Sequence, residues 1–341
     1  MPQISICIPT YNRSRMLAEL LDSIIDQGLE DEIEVVVSDD ASPDDTVEVG
    51  RAYEKKIKNF KFIAQPKNLG LDANFLAVVA AASAPYIWLM GDDDRLEPGG
   101  AQKVLDAIRR WPDAVGLTLG VLDYDVEMRE LVGVRAMPPT QLLAGAEEVF
   151  STIVDLLGFM SALVVRRDLW NHYAQDPLIA SVKNYYVQVL ILGRVIGADG
   201  KWGVVNEPCV GFRTGNDQFA VKFGWVDRLK IDVDAYNEIA DSLFSKSSAA
   251  HYMMRKRVFN THIIARVVNA KTAAGGSRGS LKALGMLARS YMDMPKFWTR
   301  AVPLLLAPSP ALRALRKAYK AHAKSSGAAR AREVAAKSGK E

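Results

Sequence analysis

The sequence predicts an α/β fold, in which a mostly parallel sheet is flanked by helices and followed by a helical extension. Short runs rich in Ile and Val alternate with segments whose apolar residues recur every three or four positions. This alternation is typical of strand–helix–strand units. Polar clusters directly follow several predicted strands. Because ligands of parallel sheets bind outside the carboxyl ends of the strands, these clusters are candidate functional residues.

The predicted elements alternate regularly through the first 119 residues. The first strand, Ile4–Ile8, stops at Pro9, and Ser14 begins a helix with apolar residues at helical spacing. Further strands are expected at 33–37, 60–64, 86–90 and 114–119, with helices at 46–55, 71–83 and 98–110. Beyond residue 140 we expect helices at 144–157 and 182–196, a strand at 161–165, a strand or loop at 202–212, and three helices between 225 and 292.

Three regions are expected from these elements. They are an α/β domain over 1–222, a helical extension over 223–295 and a basic tail over 296–341. Beyond Ser325 the tail is rich in Ala, Lys, Arg, Ser and Gly. This composition predicts partial disorder.

Several common sites have no signature in the sequence. Residues 9–12 after the first strand contain no Gly-x-Gly-x-x-Gly turn, which argues against a nicotinamide or flavin site. No phosphate-loop, His-Glu-x-x-His or Gly-x-Ser-x-Gly motif occurs. Cys7 and Cys209 lack the spacing of a zinc module, so we expect buried thiols in a reducing compartment.

Charge and hydropathy give expectations about location. No basic leader with an apolar core opens the sequence, and no segment approaches the roughly twenty apolar residues that span a bilayer. The chain is therefore expected to stay in the cytoplasm. Its net charge is +3, but eleven Lys or Arg and two Glu from Lys296 onward give +9, which leaves −6 on the other 295 residues. An acidic body without a recognised module argues against nucleic-acid binding.

Two acidic clusters are candidate ligand sites. Asp92, Asp93 and Asp94 follow an apolar strand, and three adjacent carboxylates repel one another unless a cation is present. Their oxygens suit Mg²⁺ or Mn²⁺, with phosphate oxygens completing the shell. A solvated acidic turn is the alternative. Asp39 ends the second strand, where a carboxylate can accept a hydrogen bond from a pyrimidine N–H or a ribose hydroxyl.

An ordered series of motifs carries a family resemblance. It consists of Ile4–Arg13, Val37–Ser42, Asn68–Gly70 with Asn74, and Gly91–Asp94. Over roughly residues 3–115 these motifs resemble family 2 glycosyltransferases of the GT-A fold. Residues 161–170 and 212–217 resemble, more narrowly, abequosyltransferase-type enzymes of bacterial O-antigen assembly.

The resemblance implies a function and a set of site residues. The function is metal-dependent transfer of a sugar from a nucleoside diphosphate sugar to a hydroxyl, in synthesis of O-antigen or another bacterial surface polysaccharide on a lipid-linked, polyprenyl-diphosphate acceptor. Residues 1–115 would bind the nucleotide and 116–222 the acceptor. Asp93 and Asp94 would hold Mg²⁺ or Mn²⁺, with Asp93 the better placed, to offset charge on the leaving diphosphate. The implied substrate-binding residues are Pro9, Thr10, Tyr11, Asn12, Arg13, Asp39, Asn68, Asn74, Asp92 and Arg213.

The catalytic base is an open question at this stage. The resemblance implies an acidic residue on a helix well after the metal motif, but residues 181–187 contain no carboxylate. Asp217, which is close to Arg213 in sequence, or Asp176 could supply the base from a neighbouring loop. Otherwise the mechanism differs or activity is lost. The competing hypothesis is therefore an inactive glycosyltransferase-like domain that binds nucleotide or glycan.

The tail predicts contact with a membrane surface. An aromatic and aliphatic patch at 297–306 precedes a segment, 311–324, that resembles a basic amphipathic helix. Such helices lie on anionic membranes. A helix packed on the protein's own core is the alternative. We expect a peripheral protein at the inner face of the plasma membrane.

Overall fold

A computed structural model of the chain describes residues 1–198, 200–216, 218–273 and 278–318. The chain divides into two compact units, Met1–Thr214 and Gly215–Glu341. In the described residues the first unit contains a ten-stranded sheet with helices, and the second is helical.

The strands and helices of the first unit alternate as predicted through its first half. The strands are β1 (Ile4–Thr10), β2 (Ile33–Asp39), β3 (Phe60–Ala64), β4 (Tyr86–Leu89), β5 (Arg95–Leu96), β6 (Ala114–Tyr124), β7 (Leu131–Val134), β8 (Gln141–Ala144), β9 (Leu163–Arg166) and β10 (Lys201–Arg213). The helices are α1 (Ser14–Ile25), α2 (Thr46–Tyr53), α3 (Leu71–Ala80), α4 (Gly100–Arg110), α5 (Ala146–Ile153), α6 (Arg167–Ala174), α7 (Pro177–Ser181) and α8 (Val187–Gly197).

The sheet is mostly parallel. Its strand order is β3-β2-β1-β4-β9-β6-β10-β5, with β7 paired to β6 and β8 to β10. Strands β1, β2, β3, β4, β6 and β10 run in one direction, and β9 runs against its neighbours β4 and β6. The predicted mostly parallel sheet flanked by helices is therefore confirmed, with short antiparallel additions in its second half.

The core of this unit explains the apolar patterns. Every residue of β1 and β2 is buried, as expected for strands covered on both faces. On α1 the buried positions are Leu17, Leu20, Leu21 and Ile24, the three- and four-residue spacing of a helix that packs one face on a sheet. Register places Thr10 beside Asp39, so the carboxyl ends of β1 and β2 coincide.

The described residues of the second unit are mainly helical. The helices are α9 (Gln218–Phe223), α10 (Trp225–Leu243), α11 (Ala249–Val258), α12 (Ile264–Thr272), α13 (Ser280–Tyr291) and α14 (Val302–Leu306), and residues 309–318 are also helical. A π-helical turn, Phe259–Ile263, joins α11 to α12 without a break, so the range 225–292 holds three continuous helical stretches, the number predicted. Residues 275–277, where Gly-Gly-Ser predicts a break between helices, and residues 319–341 lie outside the described residues.

The segment 297–306 is only partly a surface patch. Phe297, Ala301 and Leu305 are buried in the second unit, so this part of the predicted tail belongs to a packed core. Trp298 and Leu306 are exposed. In the described part of the chain, no helix is both long enough and apolar enough to cross a bilayer.

Candidate functional site

The polar ends of β1, β2 and β4 meet at one edge of the first unit, which we call the rim. Thr10 ends β1 and donates a hydrogen bond from Oγ1 to Asp92 Oδ2 at 2.8 Å. Asp39 ends β2 directly beside Thr10 in register. The sequence-distant groups predicted to converge are therefore brought together.

One guanidinium bridges two carboxylates of the acidic turn. Arg13 Nη1 lies 2.7 Å from Asp92 Oδ1 and 3.1 Å from Asp93 Oδ2. Burial, more than any single neighbour, raises the pKa of Asp92, while Arg13 opposes that rise. Arg13 thus occupies the position between the two carboxylates in which a metal cation would also be stabilised.

Asp94 points into the protein and not toward the rim. It is buried, its Oδ2 accepts from the Ser161 hydroxyl at 2.5 Å, and its Oδ1 accepts from the Arg213 backbone N–H at 3.1 Å. Burial, followed by repulsion from Asp93, raises the pKa of Asp94 well above its ordinary value. The predicted role of Asp94 as a metal ligand does not fit this arrangement, because the carboxylate is buried and faces Ser161 and the Arg213 backbone inside the protein.

Asp39 presents an unsatisfied acceptor. Its Oδ2 accepts from the Ser42 backbone N–H at 3.0 Å, whereas Oδ1 is buried without a hydrogen-bond partner among the described residues. A buried carboxylate oxygen without a donor is costly, and a ligand donor would remove the cost. This atom is the clearest sign of a ligand at the rim.

The neighbouring loop is organised by Asp40. Its carboxylate accepts from the backbone N–H groups of Leu69 at 2.6 Å and Gly70 at 3.1 Å. Asn68 donates from Nδ2 to the Asp40 carbonyl at 3.1 Å. Asn74, predicted to bind substrate, is buried and exchanges hydrogen bonds with Ser38. The loop residues Asn68 and Asn74 therefore shape the rim through internal bonds.

The turn after β1 offers the most accessible of the predicted groups. Tyr11 is 46% exposed, and Asn12 has a positive φ of 56°. The Asn12 backbone N–H donates to Ser42 Oγ at 2.8 Å. Pro9 is buried in β1 opposite Ser38. Tyr11 and Asn12 are thus the exposed residues of this turn, and Arg13 lies partly buried beside the acidic turn.

Arg213 has an internal role. Its Nε donates to the Asp93 carbonyl at 2.8 Å, Nη1 to the Val126 carbonyl at 2.7 Å, and Nη2 to Glu19 at 2.6 Å. The side chain is 2% exposed. We therefore replace the predicted substrate contact by a positioning role, in which Arg213 fixes the Asp93–Asp94 turn from behind.

The two predicted base candidates are not joined to this cluster by any described contact. Asp176 caps α7 by accepting from the Leu178 N–H at 2.9 Å, and Arg194 lies 3.7 Å away. Asp217 lies outside the described residues. Both assignments stay predictions.

Three residues with structural contacts in this unit, Ser161, Glu19 and Asp72, were not predicted from the sequence. Ser161 donates to Asp94 and accepts from the Gly91 N–H at 2.9 Å. Glu19 pairs with Arg213, and Asp72 bonds to the start of α8. Ser161 carried a weak signal, a hydroxyl at the start of a buried strand, whereas Glu19 and Asp72 look like ordinary polar helix positions.

The rim fits a divalent cation only if substrate phosphate oxygens add to the protein ligands. In the described residues no three acidic, His or Cys side chains converge on one point. Asp93 projects from the acidic turn and is 17% exposed. Mg²⁺ is commonly bound by one or two carboxylates together with substrate phosphates. Asp93 therefore fits the chemistry of such a site, and Asp94 does not.

Comparisons with known proteins identify the family of the chain. The family model described as Glycosyl transferase family 2 matches residues 5–142. Over 263 residues the chain is 32% identical to the abequosyltransferase RfbV of Salmonella typhimurium. The aligned region covers 72% of this chain and 76% of that protein. The chain belongs to glycosyltransferase family 2. It is accordingly an enzyme of the glycosyltransferase class, and the family predicted from the strand-end motifs is confirmed.

Two further similarities concern a shorter region and the fold. A β-1,3-glucosyltransferase of Campylobacter jejuni, named for GalNAc(5)-diNAcBac-PP-undecaprenol, is 33% identical over 106 residues, which is 31% of this chain and 34% of that protein. The structure of Staphylococcus aureus TarS 1–349 with UDP-GlcNAc superposes with a TM-score of 0.60 at 16% identity and covers 94% of this chain and 92% of TarS 1–349. This likeness confirms the GT-A fold.

Proposed function

We propose that this glycosyltransferase moves a sugar from a nucleoside diphosphate sugar, bound at the rim, to an acceptor hydroxyl. The observation that carries the proposal is the meeting of Asp39 with Arg13 and Asp93 at one edge of the sheet. The unsatisfied Oδ1 of Asp39 suits a donor group of the nucleoside. Arg13 is a cation that can pair with the diphosphate.

A divalent cation, Mg²⁺ or Mn²⁺, is part of this proposal. When bound, it would neutralise the diphosphate as a leaving group. Asp93 is its proposed protein ligand. Arg13 would then exchange Asp93 for a phosphate oxygen, while Thr10 keeps Asp92 in place. A mannosyltransferase of Pyrobaculum calidifontis, similar in fold with a TM-score of 0.54 at 15% identity, is known in complex with GDP-Man and Mn²⁺.

The proposed acceptor is a lipid-linked saccharide of bacterial surface-polysaccharide synthesis. Support comes from the relatives: one is an abequosyltransferase, and another is named for a polyprenyl-diphosphate-linked glycan. Such an acceptor would require the enzyme to work at the inner face of the plasma membrane. We therefore also propose peripheral attachment, through exposed Trp298 and Leu306 and through the basic residues from Lys296 onward.

Donor screening with a metal-ligand variant tests the function. We expect one of the UDP-, GDP-, CDP- or TDP-sugars to be turned over with a lipid-linked acceptor, and only with Mg²⁺ or Mn²⁺ present. Asp93→Ala should lower turnover by at least about 100-fold, the range in which single electrostatic contributions to catalysis fall. Asp113→Ala is the matched control, because Asp113 is an exposed carboxylate that pairs with Lys201. Full turnover in excess chelator would contradict metal dependence, and nucleotide binding without product would favour the binding-only alternative.

A further inference from the structure

Asp72 joins the starts of two helices. It lies in the first turn of α3, yet its Oδ2 accepts from the Tyr185 N–H at 3.0 Å and its Oδ1 from the Val187 N–H at 3.3 Å. Val187 is the first residue of α8. Tyr185 has a positive φ of 67°, which is uncommon for a residue other than glycine and marks a backbone held by its surroundings. The carboxylate is therefore fixed between two helix amino termini.

Asp72 lies at the same edge of the sheet as the proposed donor site. Asp40 follows Asp39 at the end of β2 and binds the backbone N–H groups of Leu69 and Gly70, immediately before α3. Two residues further along is Asp72. A helix that follows a parallel strand starts at the carboxyl-end edge, so α3 presents its first turn at the rim.

The environment of Asp72 distinguishes it from the other rim carboxylates. Asp39, Asp40 and Asp94 are almost fully buried, and Asp92 and Asp93 are paired with Arg13. Asp72 is half-buried and has no cationic side chain among its described contacts. It therefore combines access from outside with freedom from an ion pair.

Burial also sets the proton affinity of Asp72. It raises the pKa of this carboxyl group, and the two backbone N–H donors only partly oppose the rise. Asp125 provides an internal comparison. It accepts from the Arg129 N–H at 2.7 Å and the Glu130 N–H at 3.2 Å, and these bonds lower its pKa. At Asp72 the loss of hydration outweighs the two backbone donors, whereas at Asp125 the donors outweigh it.

We propose that Asp72 is the general base that accepts the proton of the acceptor hydroxyl during glycosyl transfer. In that step the hydroxyl oxygen forms a bond to the anomeric carbon, and the bond from that carbon to the diphosphate breaks. The diphosphate leaves with the bonding electron pair, and the hydroxyl proton passes to the Asp72 carboxylate. Each carboxylate oxygen keeps a second lone pair beside its backbone donor, so the hydrogen bonds to α8 orient the base without consuming it.

This inference rests on the proposed function and concerns a residue outside the donor cluster. The carboxylate that residues 181–187 lack in sequence is supplied to that segment by α3. Asp72 is then the one carboxylate in contact with the start of α8 among the described hydrogen bonds.

The test compares Asp72→Asn with the matched control Asp125→Asn in the full chain. Asp72→Asn should lower kcat by at least about 100-fold, the usual contribution of a general base. The Kd for the nucleoside diphosphate with Mn²⁺, measured by calorimetry, should change by less than about threefold, since the base makes no donor contact. Asp125→Asn removes the same charge, but its amide oxygen can keep both bonds because Oδ1 alone accepts them, and this variant should keep both values. Added formate should restore part of the rate of Asp72→Ala, because a small carboxylate can enter the space that the side chain leaves.

The outcomes separate this inference from the proposed function. A kcat of Asp72→Asn within about threefold of the original chain overturns the inference alone. A large loss of kcat in Asp217→Asn or Asp176→Asn also overturns it, provided that formate restores the rate of the corresponding Ala variant and does not restore that of Asp72→Ala. If the melting curve shows that Asp72→Asn is unfolded, the folded Asp72→Ala variant decides. Rescue of its rate by formate supports the inference, and absence of rescue overturns it. An original chain that binds no nucleoside diphosphate overturns the proposed function itself.

Discussion

At the scale of single residues, the rim contains carboxylates held in different ways. Asp94 is bound by Ser161 and the Arg213 backbone, whereas Asp39 keeps one buried oxygen without a described donor. The first arrangement is complete without a ligand. The buried Asp39 oxygen gains a hydrogen-bond partner only when a ligand donates to it. The ligand-free protein is therefore less stable than it could be, and ligand binding is favoured.

Substituting Asp39 should therefore change stability and affinity in opposite directions. In Asp39→Asn the amide oxygen can keep the Ser42 bond, and the buried charge disappears. We expect the ligand-free protein to gain about 1 kcal/mol of unfolding free energy. The Kd for the nucleotide should rise about 10- to 100-fold, because an acceptor for a ligand donor is lost. Asp45→Asn, at an exposed position of the same loop, is the control for both the melting and the calorimetric measurement. Unchanged nucleotide affinity in Asp39→Asn would remove Asp39 from the binding site.

Sequence reasoning identified the rim residues but not the contacts that orient them. Thr10, Asp39 and Asp92 could be predicted because each follows an apolar strand, and parallel strands end at a common edge. The inward orientation of Asp94 and Arg213 depends on Ser161 and Glu19, which are distant in sequence. Hydropathy gives no information about such pairings. Position beside a predicted site therefore does not indicate whether a polar side chain faces a ligand or the protein interior.

At the scale of elements, periodicity predicted the long strands and helices well. Strands β1 to β4 and helix α1 lie close to their expected positions, because their apolar patterns reflect burial on one or both faces. Strands β5, β7 and β8 are two to four residues long, too short for a pattern to develop. The position of β9 between β4 and β6 is a matter of topology, which the order of elements along the chain does not determine.

The helices of the second unit are joined by one buried ionic network. Asp232 of α10 is fully buried and contacts Arg228 of the same helix. Arg266 of α12 lies 2.7 Å and His262 lies 3.2 Å from its carboxylate. Burial alone would raise the pKa of Asp232, but His262, Arg266 and Arg228 hold it well below its usual range. The network thus fixes α10 against α12 through a charge that is ionised in the folded state.

Removing this charge should destabilise the chain and change its response to acid. Asp232→Asn leaves buried cations without their partner and should lower the unfolding free energy at neutral pH by about 3 kcal/mol. Because the folded pKa is depressed, the stabilisation is present above the unfolded value of 3.8 and is lost as the pH falls toward the folded pKa. The difference between the two proteins should therefore shrink below that pH in urea titrations. Asp234→Asn, which breaks an exposed pair with Lys230 on the same helix, should change stability by less than about 1 kcal/mol. Equal effects of the two substitutions would show that the buried network has no special role.

At the scale of the whole molecule, charge is distributed unequally along the chain. Residues before Lys296 carry −6, and those from Lys296 onward carry +9. The acidic part opposes approach to an anionic bilayer, whereas each basic residue near the surface adds about 1 kcal/mol of attraction. Attachment should therefore depend on the basic end and weaken with salt.

The packing of 297–306 determines which variants can test this attachment. Deleting everything from Lys296 would remove Phe297, Ala301 and Leu305 from a buried core, so loss of binding in that deletion would be ambiguous. Substitutions of exposed residues avoid the problem. Trp298 is 57% exposed, and Lys296 and Arg300 are exposed beside it in sequence.

Flotation with vesicles then gives a direct measurement. The full chain should float with anionic vesicles at low salt, and much less with neutral vesicles or at high salt. Trp298→Ala should reduce flotation, because an aromatic ring at the interface is lost. Lys296→Glu with Arg300→Glu should reduce it further by reversing local charge. Leu281→Ala is the control, since Leu281 is a large exposed apolar residue on α13. A chain ending at residue 318 separates the contribution of the remaining basic residues from that of Trp298. If all of these proteins float to the same extent as the full chain, the basic end is not an anchor, and its role is confined to packing within the helical unit.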